Sequence, residues 1–285
     1  MTATNQDPAS VLLAGLVDDA GLFPPTQLPL AQAVERHRRD QQRNHPMHTH
    51  RFLCPSSRWD DLRGLLTERD RFDVGVILDD DQAGSLAAVP EPAAGDPLRV
   101  AHLEMRVEPA DVGRAARYLR GTGSGHRHPV FLELHRTRGW QRSVAQLHGA
   151  HPLGLKIRCG GPRAELFPTP EELTEFIELA VANQVPMKAT AGLHHAVRHT
   201  DPTTGFTHYG YLNLVGACAA AVAGAERDTV LAILTETDPP SLVARLHSTD
   251  PHTARRSRAI LRSYGSCDTA QPIHEAAELA LGPAR

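Results

Sequence analysis

The apolar residues of this chain fall into two alternating rhythms: short, nearly continuous runs, and longer stretches whose apolar positions recur every third or fourth residue. The first marks strands buried on both faces, and the second marks amphipathic helices. Val11 to Val17 predicts a first strand ending at Asp18-Asp19-Ala20-Gly21, although its lack of β-branched enrichment suits a helix equally well. A helix from about Leu30 to Gln41 follows. Arg51–Cys54 and Val74–Leu78 predict two further strands, with helices over Ser57–Leu66 and Ala83–Val89. Val100–Val107, Val130–His135, Leu153–Cys159 and Val185–Thr190 predict four more, and Thr229–Leu234 an eighth. Helices are expected over Ala110–Arg120, Trp140–His148 and Tyr211–Ala223, with helical segments from the eighth strand to the C-terminus. The helix after the sixth strand is the best marked. Thr169 supplies an N-cap, Pro170 the first helical position and Glu172 the capping-box carboxylate.

Eight βα units in 285 residues match the size of a (βα)8 TIM-type barrel, occupying residues 1–285 as one domain with extra C-terminal helices. The Pro- and Ala-rich stretch Pro90–Pro97 is short enough to be a loop between a helix and a strand. A doubly wound open α/β sheet shares the alternation and is the competing architecture.

Side chains two apart on a strand share a face. Glu104 with Arg106, Glu133 with His135, Lys156 with Arg158 and Lys188 with Thr190 therefore pair up on four consecutive strands, near the C-terminal ends. The positions between them are Leu, Met, Ile or Ala, which suits a layer packed against helices. In a barrel these polar faces converge inside the mouth where catalysis occurs.

Composition sharpens this. Lys and Arg total 30, yet only Lys156 and Lys188 are lysine. Arginine is the usual choice for a buried ion pair and stays protonated, whereas a lysine amine can lose its proton when burial or a second cation lowers its pKa. A neutral amine attacks carbonyls and abstracts protons. Two lysines on adjacent strands are expected to depress each other's pKa, with Arg158 adding to the effect. One would form an imine while the other tunes it, and Glu104 or Glu133 would serve as acid or base. A structural ion-pair network is the plainer reading of the glutamates.

The segment Lys188-Ala189-Thr190-Ala191-Gly192-Leu193 resembles the Lys-Thr-Ser-Thr-Gly-Phe strand of the deoxyribose-phosphate aldolase family. Lys156-Ile157-Arg158-Cys159-Gly160-Gly161 is similar to that family's second lysine strand, and the two motifs stand here in reversed order. The resemblance implies a class I aldolase barrel with a two-lysine carbonyl site, Lys188 being favoured as nucleophile by motif and Lys156 by strand position. Asp18–Pro25 and Lys188–His195 are also similar to segments of an actinobacterial family, a likeness that implies no activity.

The expectation is thus an enzyme acting on a small carbonyl or oxo-acid compound through a lysine Schiff base, as an aldolase or other carbon–carbon lyase, with no cofactor. Arg106, His135, Arg158, Thr190, His194, His195, Asp18, Asp19 and Asn213 are the candidates for substrate binding, with Tyr209 and Tyr211 as pocket lining or helix packing. One alternative is a divalent-metal hydrolase, lyase or oxygenase using Glu104, Glu133, His135, His194 and His199 as ligands. Another is a barrel that binds a small molecule without catalysis. Asp79-Asp80-Asp81 reads as a solvated loop and helix cap, and Gly160-Gly161 as a weak anion-binding turn.

A formal net charge of -3 and 22% charged residues give no reason to expect nucleic acid or a membrane surface as partner. No basic region followed by an apolar run opens the chain, no stretch approaches the roughly 20 apolar residues of a membrane span, and four scattered cysteines read as reduced thiols. A cytoplasmic protein with a small-molecule substrate is expected, and homo-oligomerisation is compatible with the sequence.

Overall fold

The computed structural model describes residues 7–79, 92–93, 95–121, 128–150 and 152–281. The helix expected over Ala83–Val89, and Asp80 and Asp81, lie outside these residues. Eight parallel strands close into a barrel: β1 Val17–Asp19, β2 His48–Pro55, β3 Phe72–Ile77, β4 Leu98–Val107, β5 Val130–Leu134, β6 Leu153–Arg158, β7 Met187–Thr190 and, after a hairpin of β8 His199–Thr200 and β9 Thr207–His208, β10 Leu261–Ser266. The order around the ring is β1-β10-β7-β6-β5-β4-β3-β2, so the open-sheet alternative falls. This is a (βα)8 barrel.

Helices wrap the outside: α1 Pro8–Leu13, α2 Leu30–Arg43, α3 Trp59–Leu65, α4 Val112–Gly121, α5 Gln141–Val144, α6 Pro170–Ala182, α7 Tyr211–Val222, α8 Arg227–Thr235, α9 Pro239–Ser248, α10 Pro251–Ile260 and α11 Gln271–Glu278. At the start of α6 both halves of the expected capping box form, between Thr169 and Glu172. No helix among the described residues is long and apolar enough to cross a membrane.

Two expected strands are misplaced. Most of Val11–Val17 is helix and turn. Asp7 caps α1 by accepting from the Ser10 amide, Pro8 opens the helix, and Gly15 in the left-handed region ends the turn before the short strand Val17–Asp19. Thr229–Leu234 lies in α8, not in a strand. Its Thr, Val and Ile content suggests β structure, but Val230, Ile233 and Leu234 are buried at helical spacing against α7. The α7 helix is apolar on nearly every side because α8, α9 and α10 cover it, while its Tyr211 ring stacks on Tyr264 of β10, 5.9 Å between centroids. The eighth barrel strand is instead β10, within the segment expected to be helical. Its inward positions, Ser263 and Gly265, are small and polar, so no hydrophobic run announces it.

Registers decide which residues meet. Arg106 pairs with Glu133, Glu133 with Lys156, Lys156 with Lys188, and Lys188 with Ser263. Asp18 of β1 pairs with Gly265. A band of inward polar residues therefore runs around most of the barrel.

Candidate active site in the barrel mouth

Glu104 is the hub of the band. It is 1% exposed, with Oε1 2.6 Å from Lys188 Nζ and Oε2 2.7 Å from Lys156 Nζ. Lys188 also reaches Asp18 Oδ2 at 2.7 Å and His102 Nε2 at 2.7 Å. An ammonium has three N–H donors, and here it meets three acceptors. His102 Nε2 thus accepts from Lys188 and cannot at the same time donate to Glu104 Oε1, 2.9 Å away. Its proton sits on Nδ1, which is buried without a partner. Burial, followed by the charge of Lys188, pushes the His102 pKa down to about 4, so the ring is neutral. The Phe131 ring faces Lys188 Nζ at 5.4 Å.

Asp18 is fully buried. Besides Lys188, it accepts from Thr49 Oγ1 at 2.6 Å, Arg51 Nε at 2.8 Å and Ser263 Oγ at 2.7 Å. Burial disfavours its charge, but Arg51 and Lys188 outweigh that and hold its pKa far below the usual carboxylate range. Nearer the mouth, Glu133 Oε2 lies 3.0 Å from Lys156 Nζ, and Oε1 accepts from Arg158 Nε at 3.0 Å with Arg106 Nε 3.7 Å away. Lys156 and Arg158 overcome the burial of Glu133 and lower its pKa to about 2. Burial works against the charge of Lys156 too, yet Glu104 and Glu133 raise its pKa overall. The expected mutual depression of the two lysines does not occur at Lys156, because Glu104 stands between the two amines.

The two lysines differ in access. Lys156 lines both cavities at the C-terminal end of the barrel. One, of about 400 Å³, is bordered by Glu104, Glu133, Arg158, Thr190, His194 and Cys267. The other, of about 850 Å³, opens over Arg106, His135, Arg136, Arg158 and Arg163. Lys188 borders neither and lies beneath Glu104, 1% exposed. Gly160 lets the β6 and β7 ends approach: a Cβ there would meet Gly192 Cα at 2.8 Å. Gly161 packs on Leu166 and borders the smaller cavity.

Most of the expected site residues assemble here: Lys156, Lys188, Glu104, Glu133, Arg106, Arg158, Asp18, Thr190 and His194. Three do not. Asp19 is one residue out of phase with Asp18 and points away from the barrel interior to the Arg36 and His37 side chains of α2 and the Gly21 amide. Asn213 joins chain segments, donating to the Ile233 and Glu236 carbonyls and accepting from the Arg198 amide. His195 is held by Glu275 of α11 at 2.6 Å. His135 stands at the rim, 3.5 Å from Glu108. His199 packs between the rings of His195 and His208. Tyr209 and Tyr211 donate to the Pro168 and Pro272 carbonyls and take the packing role. Asp79 accepts from Ser56 Oγ and the Ser57 amide, so it caps the turn before α3 while bordering the smaller cavity.

The residues proposed for a metal are therefore dispersed, with Glu104 and Glu133 committed to the lysines. Among the described residues, no group of three or more His, Cys, Asp and Glu is placed to hold a metal ion.

His102, Arg51, Ser263 and Cys267 were not among the sequence candidates. His102 had a signal: it precedes Glu104 by two and shares its face. Ser263 and Cys267 had none once the last strand was misplaced. Cys267 Sγ lies 3.6 Å from His194 Nδ1 and accepts from Thr26 Oγ1 at 3.1 Å. Burial lowers the His194 pKa, so its ring is neutral near pH 7.

No family model, curated protein or solved structure matches this chain.

Proposed function

We propose that this barrel is an enzyme acting on a small oxo acid or related carbonyl compound, with Lys156 as the reacting amine, and that it makes or breaks a carbon–carbon bond. The observation that carries the reading is the placing of Lys156: buried between two carboxylates, yet bordering both cavities of the mouth, with Arg158 and Arg106 beside it. Around the larger cavity five cations (Arg106, Arg136, Lys156, Arg158, Arg163) face three carboxylates (Glu133, Glu165, Glu172), an excess of two positive charges. Such an excess favours an anionic substrate.

Held between Glu104 and Glu133, Lys156 rests as an ammonium and must lose a proton before it can attack. Substrate binding supplies the means. A carboxylate that engages Arg158 and Arg106 loosens their grip on Glu133, whose basicity then rises until it can take the proton. The amine adds to the carbonyl carbon. The carbinolamine hydroxyl takes a proton back from Glu133 and leaves as water, giving the iminium. Glu133, ionised again, takes the proton of the hydroxyl on the β-carbon, which becomes the carbonyl of the departing fragment as the electron pair of the Cα–Cβ bond moves into the iminium. Glu133 then returns the proton to Cα of the enamine, and water hydrolyses the iminium so formed to free Lys156. Lys188 keeps Glu104 ionised and does not react.

The test is borohydride trapping with a panel of 2-oxo acids and aldehydes, followed by peptide mass mapping. The chain has two lysines and one α-amino group, so few sites compete. The adduct is expected on Lys156 and absent in Lys156→Arg. Trapping on Lys188 alone, or none with any compound that binds, would sink the reading. Retained affinity in Lys156→Arg without trapping in the wild type would favour a non-catalytic binding barrel.

A further inference from the structure

A second concentration of charge lies at the opposite end of the barrel, where the proposed reaction has no use for it. A cavity of about 830 Å³ opens at the N-terminal ends of β2, β4, β5 and β10, and Arg51, Arg99, Arg255, Arg258 and Arg262 line it. One carboxylate, Asp73, lines it with them, and both of its oxygens are taken by Arg99, at 2.6 and 2.5 Å. Arg51 spends its Nε on Asp18 inside the barrel.

Arg258 donates to four carbonyl oxygens, of Ala14, Gly15, Leu261 and Arg262. These engage both Nη nitrogens but do not neutralise the group, and its Nε is buried without a partner. Burial, with the like charges of Arg262 and Arg51, pushes its pKa down to about 10. Arg255 and Arg262 are exposed on the wall, and neither has a carboxylate partner among the described residues.

This end of a barrel ordinarily serves stability, and clustered like charge works against that by self-repulsion. A bound anion would relieve it. Guanidinium groups present forked N–H donors that match phosphate oxygens two at a time. The imidazole of His128 is the one aromatic ring among the lining residues, so no Phe, Tyr or Trp platform for a nucleobase lines the cavity.

We propose that this pit is a binding site for an oligophosphate, either inorganic polyphosphate or the phosphate chain of a nucleotide, gripped chiefly by Arg255 and Arg262. It is separate from the catalytic mouth and does not depend on the reaction assigned there.

The test is calorimetric titration of the full chain in low-salt, magnesium-free buffer with tripolyphosphate and, in parallel, ATP. The variants are Arg255→Ser with Arg262→Ser, both at exposed positions, and Arg106→Ser at the opposite mouth as comparator. Arg51 is left alone because it holds Asp18. Wild type should bind both ligands with similar affinity. The double variant should lose about tenfold or more, the scale of one charged hydrogen bond, and Arg106→Ser should stay within about twofold. No binding to wild type, equal binding by the double variant, or loss in Arg106→Ser instead would overturn the proposal. ATP binding more than about tenfold tighter than tripolyphosphate would also overturn it, since the base would then be recognised.

Discussion

Replacing Glu104 by Gln tests the arrangement at its hub. The amide keeps the shape of the side chain and removes one negative charge that two buried ammonium groups share, at 2.6 and 2.7 Å. At an effective permittivity near 20, a unit pair at 2.7 Å is worth about 6 kcal/mol, and two such pairs are lost. Against this stands the relief of no longer burying a carboxylate, which is itself several kcal/mol. Lys188 keeps Asp18, and Lys156 keeps Glu133, so neither cation is abandoned. The net cost should fall near 3–5 kcal/mol, the usual result of breaking one side of a buried ion pair. For a chain of this size that is a fall in Tm of about 6–10 °C.

The pH dependence adds a second signature. Glu104 and Glu133 both have folded pKa values below their unfolded ones, Glu104 well below and Glu133 at about 2. Their stabilisation is complete above the unfolded value of about 4.3 and is lost as pH falls through the folded ones. The variant should therefore lose less stability than wild type between about pH 5 and pH 3. Thermal unfolding followed by circular dichroism across that range reads both effects. A Tm shift under about 2 °C at pH 7, with an unchanged acid limb, would mean that Glu104 is not the hub.

Two further outcomes concern the proposed reacting amine and the scaffold. Lys156 has a raised pKa, and in the proposed mechanism its proton passes to Glu133, so the reacting form carries as many protons as the resting one. At saturating substrate the rate of borohydride-trapped adduct formation should therefore change by less than about threefold from pH 7 to pH 9. A rise of about tenfold per pH unit would mean that the proton is lost to solvent and would contradict the role of Glu133. Thr169→Ala removes the capping hydroxyl of α6 and should cost about 1 kcal/mol, or roughly 2 °C in Tm, while leaving the yield of trapped adduct unchanged.

Much of the fold was legible because a parallel barrel buries each strand under a helix, so six strands announced themselves as apolar runs. The failures share one cause. β1 and β10 are adjacent in the ring, and of their inward positions Asp18 and Ser263 serve the ion network while Gly265 has no side chain. A strand that contributes mainly polar or small side chains to the interior has no hydrophobic rhythm. The α8 helix errs the other way: it is rich in β-branched residues because it fills a gap beside α7, and tertiary packing overrides local propensity there.

For the site, alternation sufficed for β4 to β7 and brought Glu104, Glu133, Lys156 and Lys188 together correctly. It could not reveal what lies between them. Strand position says which residues share a face, but protonation depends on the order in which charges are interleaved. With Glu104 between the two amines, each lysine feels a carboxylate before it feels the other lysine, and the sign of the expected shift at Lys156 reverses. The division of labour follows from the same geometry. Lys188 is sealed by three acceptors and supports Glu104 from below, whereas Lys156 meets the cavities and the arginines. Arginine in place of Lys188 would put a planar fork where three acceptors converge on one nitrogen, and in place of Lys156 it would remove the amine that borders the cavities and that the proposed reaction requires. The presence of lysine at these two positions thus has two different grounds, shape at Lys188 and, under the proposed function, reactivity at Lys156.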